Sequence, residues 1–500
     1  MRKDHFYRSL IRLIEVPEDV ISGIWQKMLF PRKNLRTMDG DELEIIDPGI
    51  LNIDEGPDFT SAKIVLKGVI IKGSVEIHVD ADDWYKHGHH LDPRYRDVIL
   101  HVIFRSSELL EKTVNFDGKI VPIFSLSHYI EKPIYQLKQY IKREKELLAE
   151  GIFPCSRAVK VVDLVKIFLI LRDQGVIRFL KKMNRLKDEL NMGYKFDEIF
   201  YRFLARACGY SKNVDSFQKL VNRVPLKILK EYFKEERTRL KREELEGIFM
   251  GASGLISEDG NSDIEGNFYN RNNDMKFTKD DSFIIEAWWK SWKNFERYTG
   301  ISPMKGTEWR FFRLRPANFP IRRIAAFAAL TARHLRSSLF RSCVKILSLE
   351  VKSAEITKRI ESLFIVRPYK YWKKHLVIFN KSQPRKVSLI GWQRSRNIVL
   401  NMVLPLLFLW AEDVNNEKFK EKLQFIYQTY PPEAENVILK TLKKRMFGTD
   451  LPPAHLFSSA VIQQGALEIS GNCCSRSLCA FCPFVFNLRE YHIKNRGLVL

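Results

Sequence analysis

The chain has 500 residues, of which 45% are apolar and 29% charged, and its 83 Lys and Arg against 60 Asp and Glu give a net charge of +23. This fits a soluble globular protein of two or three units and favours a polyanion as partner, nucleic acid before an anionic membrane. Charges interrupting "MRKDHFYRSLIRLIEV" argue against a secretory signal, and the longest apolar stretch, 398–411, is too short to cross a bilayer and carries Asn401 and Pro405.

Residues 17–30, "PEDVISGIWQKMLF", open on Pro and acidic residues and continue at helical spacing, which predicts one short helix. From about residue 35 to 105 the texture changes to short runs of alternating polarity cut by Asp-Gly, Pro-Gly and Gly-Pro turns. There "AKIVLKGVIIKGSVEIHVD" predicts a hairpin turning at Lys67-Gly68 or Lys72-Gly73, and "RDVILHVIFR" a further buried strand, for about four strands in all. Beyond residue 130 the spacing is almost wholly helical: a connector over 134–151 ending at Gly151, then 161–190, 195–209, 216–249, 321–340 and 398–411. Residues 257–282 are acidic, rich in Asn and Gly, and unpatterned, which predicts a surface loop. The expected fold class is α+β: a small mixed domain over 1–130, a large all-α domain over 131–455 and a Cys-rich tail over 456–500. The first 110 residues hold 15 Lys and Arg against 19 Asp and Glu, whereas the other 390 hold 68 against 41, so the basic surface is expected on the helical part.

In a strand, alternate side chains share a face, so Glu76 and His78 point one way and Val75, Ile77 and Val79 the other. The apolar trio is the expected buried face, with Glu76 and His78 displayed opposite it. Asp58, in "GPDF", stands at the mouth of the partner strand, where it can meet Glu76 around one cation; such oxygen donors suit Mg²⁺ or Mn²⁺. A helix, a strand with Pro57-Asp58 and a strand with Glu76-Ile77-His78 together resemble the PD-(D/E)XK superfamily of restriction-endonuclease-like nucleases over residues 17–105, with His78 in place of the pattern's Lys. The resemblance implies an αβββαβ core, Asp58, Glu76 and the Ile77 carbonyl as metal ligands, and in-line attack of a metal-activated water on a phosphodiester. It also implies that His78 orients or deprotonates that water, or else ligates the metal.

Five of the 11 His lie between residues 78 and 101. "DDWYKHGHHLDPRYRDVILHV" therefore supports a second account, in which His87, His89 and His101 with Asp83 or Asp92 bind Zn²⁺ or Fe²⁺ in a hydrolase of another type. In a third account His87 and His89 hold the loop or orient substrate, and His101 is a core residue. The motifs "LRTMDGDELEIIDPG", "GPDF", "GSVEIH", "DWYKHGHH", "VILHV", "RLRPANFP" and the tail resemble, nearly end to end, the uncharacterised bacterial family catalogued as domain of unknown function 2851. That resemblance implies no activity.

"TEWRFFRLRPANFPIRR" (307–323) interleaves Arg310, Arg313, Arg315, Arg322 and Arg323 with Trp309, Phe311, Phe312 and Phe319. Guanidinium groups pair with phosphates and aromatic faces accept bases, so Arg313, Arg315 and Arg322 are candidate contacts to single-stranded DNA or RNA. Asn318 is a candidate helix start facing an anion. The competing account makes the aromatics core and pairs the arginines with other groups. In the tail, Cys474, Cys479 and Cys482 stand at ligand-like spacing, and Cys155 is the candidate fourth thiolate for Zn²⁺ or an iron–sulfur cluster. Seven Cys, with Cys155, Cys208 and Cys343 single, suggest a reducing cytoplasm. The leading expectation is a cytoplasmic Mg²⁺- or Mn²⁺-dependent nuclease or nuclease-derived nucleic-acid-binding protein; the alternatives are a non-catalytic nucleic-acid binder and a His-rich Zn or Fe hydrolase. Oligomeric state has no signature in the sequence.

Overall fold

The computed structural model describes residues 16–31, 33–52, 55–105, 112–149, 153–210, 212–235, 240–256, 279–311, 314–376, 378, 387–448, 455–476, 479 and 482–485. The chain forms two compact units: residues 1–174 with 435–456 and 464–500, and residues 175–434 with 457–463. The first therefore takes in the mixed sheet, the connector and most of the Cys-rich tail, and the division falls near 174 rather than near 130.

The first unit opens with the helix Glu18–Gln26, started by Pro17. Strands follow as β1 (Leu35–Arg36), β2 (Glu42–Asp47), β3 (Ile50–Leu51), β4 (Phe59–Leu66), β5 (Val69–Asp80), β6 (Val98–Arg105), β7 (Thr113–Val114), β8 (Ile120–Val121) and β9 (Ile123–Ser125). Seven of them make one mixed sheet in the order β1-β2-β4-β5-β6-β9, with β3 beside β4; β7 and β8 pair separately. β1, β2, β4 and β5 run antiparallel to their neighbours, and β5, β6 and β9 run parallel. The described residues thus form nine strands rather than about four, because strands of two or three residues carry no readable alternation.

The β4–β5 hairpin turns at Lys67-Gly68, with φ of 52° and 77°. Two successive positive φ values make the primed turn whose twist matches the strands, and they select this site over Lys72-Gly73. Gly73 lies instead inside β5, where a Cβ would come within 2.3 Å of Ile99 Cγ2 and 2.5 Å of the Asp97 carbonyl. Val20, Ile21, Ile24 and Trp25 of the first helix pack on Val75, Ile77, Leu100, Val102 and Phe104, which form the main core of this unit. The opposite face of the sheet is covered too, by Trp84, Tyr95 and Val121 and by Ala81 with Ile103 and Ile123. Glu76 and His78 are therefore 5% and 1% exposed rather than displayed to solvent.

The second unit is helical. Its helix Pro320–Arg336 is buried from Pro320 through Ala332, with Arg322, Arg323 and Thr331 enclosed among its apolar residues. The predicted run 216–249 is broken after Arg223, where Pro225 cannot continue a helix, and the predicted run 321–340 is broken at Ser337, with Ser338 capping the next helix. Around 398–411 the chain is helical from Trp392 with a π turn over Val399–Val403; Pro405, lacking an N–H, sits just past that turn. Residues 279–282 of the predicted loop begin the helix Lys279–Thr299, and 257–278 lie outside the described residues, as does Gly151. Among the described residues no helix is long and apolar enough to cross a membrane.

Candidate metal centre

β5 carries Glu76 and His78 on one face because its side chains alternate, and its parallel neighbour β6 sets His101 opposite Glu76. Asp58, just before β4, accepts the Ile77 N–H at 3.1 Å, and its own N–H donates to Glu76 Oε2 at 2.9 Å. The two carboxylates are thereby clamped crosswise to each other's strand. After β5 the chain runs through the short helix Asp83–Lys86, and Gly88, at φ 73°, turns it so that His89 comes back over the sheet. Trp84, fully buried, anchors this loop by donating Nε1–H to the Val114 carbonyl at 2.9 Å, and Tyr95 stacks on His89 at 3.9 Å between centroids.

Four ring or carboxylate atoms converge. His78 Nε2 lies 3.2 Å from His87 Nδ1, 3.3 Å from His89 Nε2 and 3.6 Å from Glu76 Oε1, and His89 Nε2 lies 3.2 Å from Glu76 Oε1. On the far side, His78 Nδ1 meets His101 Nε2 at 2.9 Å, and His101 Nδ1 meets Thr113 Oγ1 at 3.2 Å. His87 is exposed, whereas His78, His89 and His101 are buried.

Burial, then the charge of Glu76, pushes Asp58 up to about 7; burial, then the charge of Glu18, pushes Glu76 up to about 8. Burial, then the nearby His89 and His87, drives His78 down to about 3, and burial holds His89 and His101 below the usual imidazole range. At neutral pH the contacts between Glu76 and the imidazoles are therefore not ion pairs. Carboxyls that resist ionisation beside imidazoles that resist protonation make an uncharged, desolvated cluster of donor atoms.

The structure thus brings together Asp58, Glu76, His78, His87 and His89, which the sequence divides between two competing ligand sets. Asp83 pairs with Lys86 while lying within electrostatic reach of His78, and Asp92 caps Arg94 and binds its guanidinium. His101 is a buried partner of His78 and not one of the converging donors. Glu18, in the first turn of the opening helix, joins the site unforeseen; burial, then Asp58, raises its pKa, and it feels the charges of His87, Asp83 and His89. Its only sequence signal is an acidic residue at a helix start. Among the described residues, His78, His87 and His89 each offer a donor atom within 4.8 Å of the others.

Cys155 does lie in the electrostatic reach of Cys474, Cys482 and Cys479, and burial followed by those neighbours pushes its thiol up to about 12. Its Sγ donates to the Arg445 carbonyl at 3.5 Å, and Cys482 is held protonated first by a hydrogen bond with Cys473. The four predicted thiols do not gather as closely as the histidines do.

In the helical unit Arg322 is buried and donates to the carbonyls of His375, Leu376 and Val387, at 3.3, 3.4 and 2.5 Å. Arg323 donates to the carbonyls of Leu389 and Ala317 and to Asn318 Oδ1. Both guanidiniums are thus taken up by groups of their own unit, Asn318 is engaged by Arg323, and Phe319 rather than Asn318 precedes the helix. Trp309, Phe311 and Phe319 are core. Arg315 is exposed, and Arg313 lies outside the described residues.

The family described as "Protein of unknown function (DUF2851)" matches residues 18–436. The chain belongs to this family. The matched span takes in Glu18, Asp58, Glu76 and all the histidines of the candidate centre, and leaves the four C-terminal cysteines outside. No curated protein and no solved structure matches the chain.

Proposed function

We propose that the protein is a metal-dependent hydrolase of phosphodiesters, with nucleic acid as substrate. The observation that carries this reading is the convergence of Glu76 with His78, His87 and His89, beside Asp58, on one buried stretch of β5 and the loop above it. The order of elements supports it: the helix Glu18–Gln26, the antiparallel β2, β4 and β5, the helix Asp83–Lys86 and the parallel β6 follow the αβββαβ succession that the restriction-endonuclease-like resemblance implies. A bound divalent ion supplies a water of lowered pKa and neutralises charge on a phosphoryl oxygen. Glu76 and the imidazoles would hold the ion, and Asp58, fixed by the Ile77 N–H, would accept the proton of the attacking water. The positive excess of 27 charges over residues 111–500 favours a polyanionic substrate.

The test is incubation of the full chain with single- and double-stranded DNA and RNA in the presence of Mg²⁺, Mn²⁺ or Zn²⁺, beside Glu76→Ala. Cleavage by the parent chain is expected, with Glu76→Ala slower by more than the roughly 10–100-fold that loss of an outer-shell partner costs. Equal cleavage by both proteins, or binding without cleavage under every ion, removes the catalytic reading.

A further inference from the structure

We propose that Glu76, His78 and His89 form the fixed face of a site for a borderline divalent ion of the zinc type, with His87 as a solvent-side fourth ligand and His101 and Thr113 as positioning residues. The inference rests on the metal-dependent reading above and names its ion and ligands.

The spacing argues for the ion class. Two ligands of a tetrahedral ion at about 2.0–2.1 Å stand about 3.3 Å apart, whereas neighbouring ligands of octahedral Mg²⁺ stand about 2.9 Å apart. The triangle Glu76 Oε1, His78 Nε2 and His89 Nε2 has edges of 3.6, 3.3 and 3.2 Å, and His87 Nδ1 stands 3.2 Å from His78 Nε2. Three imidazoles and one carboxylate are also the donor chemistry of zinc rather than magnesium, which takes oxygen. Glu76, His78 and His89 are all buried and so fixed by packing, whereas His87 is exposed and free to yield its place to water or substrate. A three-plus-one arrangement of that kind is what a catalytic rather than a structural ion needs.

The chain of contacts behind His78 assigns its tautomer. A metal on Nε2 puts the proton on Nδ1, which then donates to His101 Nε2 at 2.9 Å. His101 must in turn carry its proton on Nδ1 and donate to Thr113 Oγ1 at 3.2 Å. Each donor has one acceptor, and the ring of His78 is held in the only orientation that presents Nε2 to the ion.

The test loads the metal-free full chain with Co²⁺ as a spectroscopic probe and titrates with Zn²⁺ and with Mg²⁺. Visible bands of a four-coordinate ion, without the near-ultraviolet absorption of thiolate ligation, are expected; Zn²⁺ displaces the probe and Mg²⁺ in thousandfold excess does not. His89→Ala abolishes the bands, the exposed His87→Ala alters them with the fold intact by circular dichroism, and His101→Gln weakens binding by about 10–100-fold. Displacement by Mg²⁺, or an unchanged spectrum and affinity in His87→Ala and His89→Ala, overturns the proposal. Bands as expected without phosphodiester cleavage leave the ion site standing and remove the catalytic reading, whereas cleavage with Mg²⁺ alone that survives His89→Ala does the reverse.

Discussion

Glu76 shows how one residue's meaning changes with its surroundings. A Glu on a strand is ordinary, but one buried to 5% exposure and within reach of the Glu18 charge is held against ionisation, although the Asp58 N–H it accepts favours the carboxylate. The folded pKa values of Asp58 and Glu76, about 7 and about 8, lie above their usual values of 3.8 and 4.5. In the metal-free protein they therefore contribute stability that is complete below about pH 4 and lost as pH rises through 7 and 8. A cation must displace those protons, so metal affinity is expected to fall as pH drops below 7 and binding at pH 7 to release protons. Calorimetry in buffers of different ionisation enthalpy, and melting curves with and without chelator, check both; proton-neutral binding at pH 7 would contradict them. The pairing of Glu76 with His78 was legible because strand alternation is local. The positions of Glu18 and Thr113 were not, since nothing near either residue in the chain states what it will face.

At the scale of elements, the hairpin is the part of the fold that sequence rules describe best. Lys67-Gly68 takes the two positive φ values of a primed turn, and the register follows from Leu66 opposite Val69. Gly73 matters for a different reason, the close approach of β6 to β5. Gly73→Ala is expected to cost about 1–3 kcal/mol, since the Asp97 carbonyl it meets is backbone and cannot rotate away. Urea unfolding reads the loss, and a midpoint unchanged from the parent would show that β5 and β6 do not approach as described. β1, β3, β7, β8 and β9 escaped the sequence because two or three residues form no period, and the π turn at Val399–Val403 because its backbone pattern leaves no mark on apolar spacing.

For the whole molecule, hydrophobic spacing anticipated the α+β class and the large helical part, but the charge balance did not say where individual cations go. The Arg-aromatic stretch splits: Arg315 is exposed, while Arg322 and Arg323 bind carbonyls inside their own unit. If the remaining basic surface grips nucleic acid, the affinity must fall with salt at a log–log slope of about −0.9 for each duplex phosphate neutralised, or about −0.7 on single strands. Fluorescence anisotropy at 50–300 mM salt is expected to show a slope steeper than about −3; a flat response would assign the +23 excess to solubility alone.

The sequence by itself determined the residue types available for chemistry, the strand that carries Glu76 and His78, and the charge that favours a polyanion, because all three depend on composition or on neighbours one or two positions away. Only the tertiary structure decided that His87 and His89 join Glu76 rather than compete with it, that His101 stands behind His78, and that Arg322 faces inward. Those outcomes depend on which distant segments pack together, and burial, which sets both the pKa values and the donor geometry here, is a property of the packed whole.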